Sequence, residues 1–433
     1  MEANVSTPMA TGCKYPHPVP VIGDTARESV QKKDVVYVFS QLYAFGELPS
    51  QMWRLRNLFH DRNRYDITIV TYPLEKLRVN RSLFNIAMRG VNVVHSTDDD
   101  LIWFDSDELG DAAIIEDGNR IYVMCNSGQL RTWFLMAYQN RQPDYYFSLT
   151  GQERERGEML RRHFNIPGGA PIVTLHVREP GFKNSHGVPE GPDSTLRNVR
   201  IETYLPAIEF LIKEGYYVVR LGDTTMKPLS GLPKQFIDAP FHSKCNDMVE
   251  PYFISVSDFF LCTASGPLTI ADAFGTPRLI TNWPLARYAW AWQDDLYLFK
   301  RYYSRELQRN LTYEEVLCSP LMFLYDIESI HRAGLEVVDN SAEEILAAVH
   351  EMMSRLKGTY STSHEMSAIN SQFRMIQKRA FGFHQQRDPD LPYVSLLHFF
   401  DHKNVPISME YLKRNPDLLG FGSSREPSPG EPR

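Results

Sequence analysis

Hydrophobic positions in the first part of the chain fall into short continuous runs, separated by stretches with helical spacing. Val35–Phe39 is an unbroken run of β-branched and aromatic residues, which is typical of a strand buried on both faces of a parallel sheet. Ile67–Thr71 and Val91–Val94 have the same character, whereas Gln51–His60 and residues 81–90 have a helical pattern. Alternating strands and helices predict a parallel sheet with helices on its faces.

The same alternation restarts after the Pro/Gly cluster Ile166–Pro171, whose composition is typical of a linker. Apolar runs predict strands at Ile172–Val177, Tyr217–Leu221, Asp258–Cys262 and Arg278–Thr281, and a helix from Ile201 to Glu214. Ser341–Glu344 has the Ser-x-x-Glu pattern of a capping box, which predicts the start of one more helix. The whole pattern predicts an α/β chain with two tandem Rossmann-like domains facing a central cleft.

Composition and pattern divide the chain into five predicted segments. They are a flexible leader (1–32), a first Rossmann-like domain (33–168), a second one (169–358), a helical C-terminal extension (359–420) and a disordered tail (421–433). The leader has no apolar central stretch, so it lacks the pattern of a signal peptide. Because no apolar run approaches about 18 residues, we expect no membrane span.

The composition restricts the classes of partner. With 43% hydrophobic and 23% charged residues, the 433-residue chain has the balance of a soluble globular protein. Its net charge of −7 provides no basic footprint for nucleic acid. The five Cys are widely spaced, odd in number and without a C-x-x-C pair, which favours a reducing cytoplasm over a disulfide framework. Without a P-loop, G-x-G-x-x-G or H-E-x-x-H pattern, we expect neither a cofactor nor a metal.

The first polar motif, His176-Val-Arg178-Glu179, lies at the end of the first strand predicted in the second domain. Ligands of open α/β sheets gather outside the carboxyl ends of the strands. A guanidinium group offers paired donors and a permanent charge to a diphosphate, so we expect Arg178 to bind one. A surface ion pair between Arg178 and Glu179 explains the same spacing equally well.

Further charged residues follow this motif. The polar loop Pro180–Arg200 contains Arg197 and Arg200, and because long loops in compact domains are usually functional or disordered, it favours a ligand site near the cleft. The next strand ends in Arg220-Leu-Gly-Asp223, where Arg220 is a second candidate to bind the phosphates and the Asp223 carboxylate is positioned to meet a ribose or sugar hydroxyl. A tight Gly-Asp turn is an equally good explanation of that pair.

The second polar motif, Ser265-Gly266-Pro267, connects a predicted strand to a predicted helix that contains Thr269. Ser and Gly are favoured at helix caps and Pro in the first turn. Backbone amides at such a helix start, together with the helix dipole, attract phosphate. A plain helix start without a ligand is the alternative.

The first domain has one candidate of its own, in the loop after its first strand. Gly46 would let the backbone approach a ligand closely. Glu47 is placed to act as a general base on an acceptor hydroxyl. The alternative is an exposed acid at a helix N-terminus, where the dipole favours negative charge.

Taken together, these segments resemble a bacterial family of GT-B glycosyltransferases found in surface-polysaccharide and secondary-metabolite settings. The resemblance covers residues 33 to 418 and rests on His176–Glu179, Arg197–Ile208, Arg220–Asp223, Ser265–Pro267 and the tail Ile407–Pro416. It implies a first domain that recognises the acceptor and a second domain that binds a nucleotide-sugar donor. The implied reaction moves a sugar to a hydroxyl of a saccharide, a lipid-linked or a small-molecule acceptor.

Two better-known families imply roles for particular residues. His176 and Arg178 match the H-x-R motif of protein O-fucosyltransferases, in which the Arg lies near the donor diphosphate and sugar. Gly46-Glu47 is similar to the first loop of heptosyltransferases, whose acid is implied to be the base, although Glu replaces Asp here. The resemblance implies metal-independent transfer with Glu47 or Glu179 as base, and direct displacement implies inversion at the anomeric carbon.

Two other functions are compatible with these motifs. A sugar-nucleotide epimerase on the same scaffold needs acid and base groups on both faces of the sugar and no acceptor groove. A non-catalytic nucleotide- or sugar-binding protein needs only the donor site. The density of polar motifs at strand ends favours an enzyme over the binding protein.

Overall fold

The structure is a computed structural model of the chain. It describes residues 31–41, 46–98, 101, 103–104, 112–138, 141–185, 187, 191, 194–284, 291–292, 294–324, 326–387 and 406–420. The predicted tail 421–433 and all but the last two residues of the predicted leader 1–32 lie outside these ranges. The chain divides into two compact units, Met1–Tyr146 and Phe147–Arg433.

The first unit contains a mostly parallel sheet with helices. Its described strands are β1 (Lys33–Phe39), β2 (Tyr65–Thr71), β3 (Asn92–His95), β4 (Ala113–Asp117) and β5 (Arg120–Met124), and its helices are α1 (Glu47–Leu58), α2 (Arg81–Ala87) and α3 (Ser127–Ala137). The strand order is β3-β2-β1-β5-β4. Only β4 runs antiparallel to its neighbour β5, because the two are joined by a tight turn in which Gly118 has a φ of 56°. This edge strand is largely exposed.

The second unit contains a six-stranded parallel sheet and a small antiparallel one. The strands of the large sheet are β6 (Ile172–His176), β7 (Tyr217–Arg220), β8 (Phe236–Asp238), β9 (Phe259–Cys262), β10 (Arg278–Trp283) and β11 (Leu296–Phe299). Their order is β11-β10-β9-β6-β7-β8, and every pair is parallel. Read from β8, this is the 3-2-1-4-5-6 order of a dinucleotide-binding Rossmann fold. The small sheet has the order β13-β12-β14, with β12 (Arg301–Ser304), β13 (Arg309–Asn310) and β14 (Leu335–Val338).

Helices cover the faces of the large sheet or extend the unit. They are α4 (Gly151–His163), α5 (Phe182–Ser185), α6 (Ser194–Arg197), α7 (Leu205–Lys213), α8 (Val249–Val256), α9 (Leu268–Phe274), α10 (Tyr313–Leu317), α11 (Ile327–Arg332), α12 (Ala342–Leu356), α13 (His364–Arg387) and α14 (Met409–Arg414). The predicted capping box is present at the start of α12, where Ser341 and Glu344 exchange hydrogen bonds. The predicted α/β class with two Rossmann-like units and C-terminal helices is therefore confirmed.

The division between the units falls earlier in the chain than the predicted boundary at residue 168. Helix α4 belongs to the second unit because it packs on α8, where Tyr252 donates to Glu158 at 2.6 Å. Gly157 permits this contact, since a Cβ there would lie 1.8 Å from the Tyr252 ring. The Pro/Gly cluster is a fixed turn: the Arg161 guanidinium donates to the carbonyls of Pro167 and Ala170.

The C-terminal residues complete the second unit. Ile407 forms a parallel bridge with Tyr297 at the edge strand β11, and α14 packs on α12. Ser408 donates to the buried Glu351 carboxylate of α12 at 2.6 Å. In the part of the chain that the structure describes, no helix has the length and hydrophobicity needed to cross a membrane.

Candidate functional site

The centre of the second sheet brings the two polar motifs together. Strands β6 and β9 are neighbours, and His176 at the end of β6 stands opposite Cys262 at the end of β9. The chain leaves β6 in one direction toward β7 and β8 and returns on the other side through β9. Strand order therefore reverses between β6 and β9, and in doubly wound sheets the crevice at this point binds ligands.

His176 connects the strand ends at this crevice. The ring is buried, its Nδ1 lies 3.1 Å from the carbonyl oxygen of Leu221, and its Nε2 lies 2.9 Å from the hydroxyl of Ser265. Burial, reinforced by the nearby positive charges of Arg178 and Arg220, lowers the pKa of His176 to about 4. The imidazole is therefore neutral near pH 7, and it joins the ends of three strands.

The backbone after β6 is tied to the backbone after β9. The amide of Arg178 donates to the Thr263 hydroxyl at 2.9 Å, and the Thr263 amide donates to the His176 carbonyl at 3.2 Å. The Arg178 guanidinium is half-buried and lies 3.4 Å from the Ser194 hydroxyl. Because both strand ends hold its backbone, Arg178 is fixed at the edge of the crevice.

A second guanidinium reaches the same edge from the polar loop. Arg197 lies on α6 with its Nη1 3.5 Å from the carbonyl of Ala264, directly before Ser265. Leu196 anchors α6 because it is buried in a hydrophobic cluster with Tyr302, Leu311, Ile330 and Leu335. Arg200 is different: its side chain is 81% exposed and lies 3.8 Å from Glu202, so the structure does not bring it into the crevice.

The predicted roles of Glu179 and Arg220 are replaced by a structural ion network. The fully buried Arg220 guanidinium donates to Glu179 at 2.6 Å, to both Asp238 oxygens at 3.2 Å and to the Lys227 carbonyl. The second Glu179 oxygen accepts from the Lys227 amide at 2.8 Å. Glu179 therefore neutralises a buried cation rather than facing a ligand, and Arg220 has no exposed surface with which to bind one.

Asp223 forms a tight turn with Gly222, which is the second of the two explanations of the Gly-Asp pair. One of its oxygens accepts hydrogen bonds from both the backbone amide and the hydroxyl of Thr225. Gly222 before it has a φ of 141°, and a Cβ there would lie 2.1 Å from the Met226 sulfur. The Gly-Asp pair thus closes the end of β7 with the turn packed tightly against Met226.

The start of α9 does not have the open backbone amides that were predicted to bind phosphate. Helix α9 begins at Leu268 with Pro267 as the preceding cap, and no side chain caps it. The amides of Leu268, Thr269 and Ile270 donate to the carbonyls of Ser265, Gly266 and Pro267, and the Thr269 hydroxyl also donates to Gly266. The Ser265 hydroxyl is engaged with His176 instead of capping the helix, so these groups do not form an open set of phosphate donors.

In the first unit, Glu47 is the first residue of α1, as expected for either of its two explanations. One carboxylate oxygen accepts from the Gln51 amide at 3.2 Å, and the Gln51 oxygen accepts from the Tyr37 hydroxyl at 2.7 Å. Gly46 adopts a right-handed conformation with a φ of −84°, so its position does not require a glycine backbone. Tyr43–Phe45 of this loop lie outside the described residues.

Three further residues, which belong to no predicted site, hold the strand ends and the polar loop in place: Thr263, Ser194 and Lys300. Thr263 was visible inside the second motif but has no distinctive pattern of its own. Lys300 follows β11, is buried, and reaches Asp339 at 2.7 Å and the Asn198 carbonyl at 3.3 Å, which fixes the polar loop. The apolar run Leu296–Phe299 before it was a usable signal for this strand. Among the described residues, no three His, Cys, Asp or Glu side chains are grouped as metal ligands.

No protein-family model matches the chain, and no curated protein matches it. Its fold is similar to several solved glycosyltransferases. A glycosyl transferase family 9 protein from Veillonella parvula is 10% identical over 63% of this chain and 86% of its own, with a TM-score of 0.39. The ADP-heptose LPS heptosyltransferase II of E. coli is 13% identical over 57% and 84%, with a TM-score of 0.31. An E. coli heptosyltransferase solved with ADP is 10% identical over 61% and 90%, with a TM-score of 0.30. Similarities at this level establish no shared chemistry.

Proposed function

We propose that the chain is a GT-B glycosyltransferase that binds a nucleotide-sugar donor at the carboxyl edge of the second sheet. The observation that carries this proposal is the meeting of His176, Arg178 and Ser265 where strand order reverses between β6 and β9. Crevices at this position in doubly wound sheets bind nucleotides. In the proposed reaction, the donor sugar passes to a hydroxyl of a saccharide, lipid-linked or small-molecule acceptor.

Within this proposal, Arg178 and Arg197 bind the donor diphosphate. Both guanidinium groups are half-buried beside the crevice, and each is held by contacts with the chain around it. Their permanent charge stabilises the leaving diphosphate as the glycosidic bond breaks, which removes the requirement for a metal ion. Direct displacement by the acceptor hydroxyl then inverts the anomeric carbon.

Glu47 is the proposed general base, and Glu179 is no longer a candidate. Both Glu179 oxygens are bound by Arg220 and by the Lys227 amide, and taking up a proton would remove the counter-charge of a buried guanidinium. Glu47 carries no such ion pair in the described contacts and accepts a single hydrogen bond, from Gln51.

Nucleotide binding provides the test. We expect one nucleoside diphosphate or nucleotide sugar in a panel to raise the melting temperature, since a ligand that binds only the folded state stabilises it. Arg178→Gln should weaken its binding about 10- to 100-fold, because hydrogen bonds to charged groups contribute about 1.5–3 kcal/mol. Arg305→Gln is the matched control, since Arg305 is exposed and paired with Glu336 beside the small antiparallel sheet.

Several outcomes would contradict the proposal. If no nucleotide binds, or if both Arg variants bind equally well, the crevice is not the donor site. Incubation of the bound nucleotide sugar without an acceptor separates the remaining alternatives. An epimerised sugar as product would identify an epimerase, and binding without turnover over a broad acceptor panel would identify a binding protein.

A further inference from the structure

The hydrogen bonds around His176 determine the direction of the bond that Ser265 makes. Nδ1 lies 3.1 Å from the Leu221 carbonyl oxygen, which can only accept, so the proton of the neutral ring is on Nδ1. The Leu221 amide donates to the Leu175 carbonyl at 2.8 Å, which holds this part of the backbone in the sheet. The ring tautomer is therefore set by the main chain of the neighbouring strand.

With the proton on Nδ1, Nε2 carries a lone pair. The Ser265 hydroxyl, 2.9 Å away, must then donate its only hydrogen to Nε2. A second proton on the ring is unfavourable, because burial and the positive charges of Arg178 and Arg220 lower the pKa of His176 to about 4. Near pH 7, the Ser265 oxygen consequently has only lone pairs to offer to anything else.

We infer that Ser265 accepts a hydrogen bond from a hydroxyl group of the bound nucleotide or sugar and does not bind a phosphate oxygen. This inference rests on the proposed function of the crevice. A phosphodiester oxygen has no hydrogen to donate, so it would meet the Ser265 oxygen lone pair to lone pair. A ribose or sugar hydroxyl has the hydrogen that this arrangement requires. Turning the Ser265 hydroxyl toward phosphate would leave a buried Nε2 lone pair unsatisfied, which is unfavourable.

Two kinds of side chain in the crevice thus bind two kinds of group on the ligand. Arg178 and Arg197 supply positive donors for the phosphates, and Ser265 supplies an acceptor for a hydroxyl. His176 acts as a positioning residue, because it touches Ser265 and sets which way the Ser265 hydrogen points.

Deoxy analogues test the inference. The nucleoside diphosphate and nucleotide sugar that bind best among the UDP, GDP and ADP series are compared with their 2′-deoxy, 3′-deoxy and monodeoxy-sugar forms by calorimetry. We expect Ser265→Ala to weaken binding of a parent compound about 3- to 10-fold, as for one lost hydrogen bond. It should leave unchanged the affinity for the one analogue that lacks the hydroxyl contacted by Ser265. Ser265→Thr, which keeps the hydroxyl, should retain the discrimination.

Other results would overturn the inference. Three results for Ser265→Ala would each exclude the hydroxyl contact while leaving the nucleotide site intact. They are an unchanged affinity for the parent compound, an equal loss of affinity for the parent and every deoxy form, and a loss of affinity for inorganic pyrophosphate as well. Absence of binding by every nucleotide would overturn the proposed function together with the inference. A measurement on the unaltered protein covers the case in which the Ala variant fails to fold. ¹⁵N chemical shifts of His176 should report a proton on Nδ1, and a proton on Nε2 near pH 7 would refute the argument.

Discussion

At the scale of single residues, the partner of a charged group decides its role. Glu179 and Asp223 stand at strand ends where ligand contacts are expected, yet the first is bound to a buried guanidinium and the second closes a turn. His176 and Arg178 stand at the same edge and face the crevice. All four residues lie at strand ends, so their positions in the sequence do not reveal which of them face a ligand. Only the contacts of each side chain distinguish the two roles.

Replacing Glu179 by Gln should destabilise the fold. The Gln oxygen can accept from only one of its two partners, Arg220 or the Lys227 amide, and its amide group would then oppose the other donor. Leaving a buried donor unsatisfied costs about 1–3 kcal/mol, and the loss should appear in urea unfolding curves. A stability unchanged within error would show that the ion network does not depend on this carboxylate.

Glu47→Gln is the companion variant, and it should separate catalysis from stability. Its amide oxygen can still accept from Gln51, so we expect a stability change within about 0.5 kcal/mol. If Glu47 is the base, transfer should fall about 10²- to 10⁴-fold while donor affinity is retained. Near-normal transfer by the folded variant would remove Glu47 from the mechanism.

The pH dependence of stability should report the buried imidazole of His176. Its pKa is about 4 in the folded protein and about 6.5 in an unfolded chain, so between pH 6.5 and 4 the unfolded chain takes up a proton that the folded protein does not. The contribution of His176 to the free energy of unfolding should therefore have its full value above about pH 6.5. It should decrease as the pH falls from 6.5 to 4 and change no further below pH 4. The His176 contribution is about 3 kcal/mol at most.

His384 and His242 complicate the bulk measurement, since burial also lowers their pKa and they act in the same direction. NMR titration resolves the residues individually. We expect the His176 signal to stay constant down to about pH 5. A midpoint near 6.5 for His176 would contradict the burial and the tautomer derived from it.

At the scale of elements, continuous apolar runs were sufficient to predict the central strands. Ile172–Val177 was predicted and β6 spans Ile172–His176, because a strand buried on both faces has an unmistakable composition. The predicted helix Ile201–Glu214 divides into a 3₁₀ turn, Ile201–Tyr204, and α7. Pro206 explains the division, since proline lacks the amide that an α-helix interior needs and is favoured in a first turn.

The side-chain contacts of the site were beyond what spacing can predict. Strand ends are visible in the sequence, but their neighbours depend on strand order. Glu179 and Arg220 are 41 positions apart, and His176 and Ser265 are 89 apart, so each pairing requires the finished sheet. The prediction of a phosphate site at the start of α9 was wrong for a local reason. Tight backbone turns after Ser265 use the amides that a capped helix would leave available to a ligand.

The C-terminal helix α14 should contribute strongly to the second unit. Leu412 is fully buried in it, and the neighbouring Tyr411 donates to the Phe299 carbonyl at the end of β11. Leu412→Ala should cost about 2–5 kcal/mol, as for other large-to-small substitutions in a core. Lys413→Ala, one residue later and exposed, should change stability by less than about 0.5 kcal/mol. Equal effects of the two variants in urea unfolding would mean that α14 is not part of this core.

At the scale of the whole molecule, each unit has its own large sheet and its own strand order. The second unit alone has the complete 3-2-1-4-5-6 order, and its reversal point coincides with the cationic side chains of the site. A chain with net charge −7 thus carries a local group of positive side chains, and the proposed donor site lies in the second unit.

Hydrogen exchange with and without the nucleotide that binds best should map the donor site to the second unit. At a ligand concentration of 100 times Kd, binding stabilises the folded state by about 2.7 kcal/mol. We expect increased protection in β6, in residues 263–268 and in α6, because these segments surround the crevice through His176, Ser265 and Arg197. At the same nucleotide concentration the 10- to 100-fold weaker Arg178→Gln variant should retain only about 0.4–1.4 kcal/mol of this stabilisation, and its protection should fall accordingly, whereas Arg305→Gln should keep the full protection. Protection confined to β1 and α1, with the second unit unchanged, would place the nucleotide in the first unit and contradict the assignment.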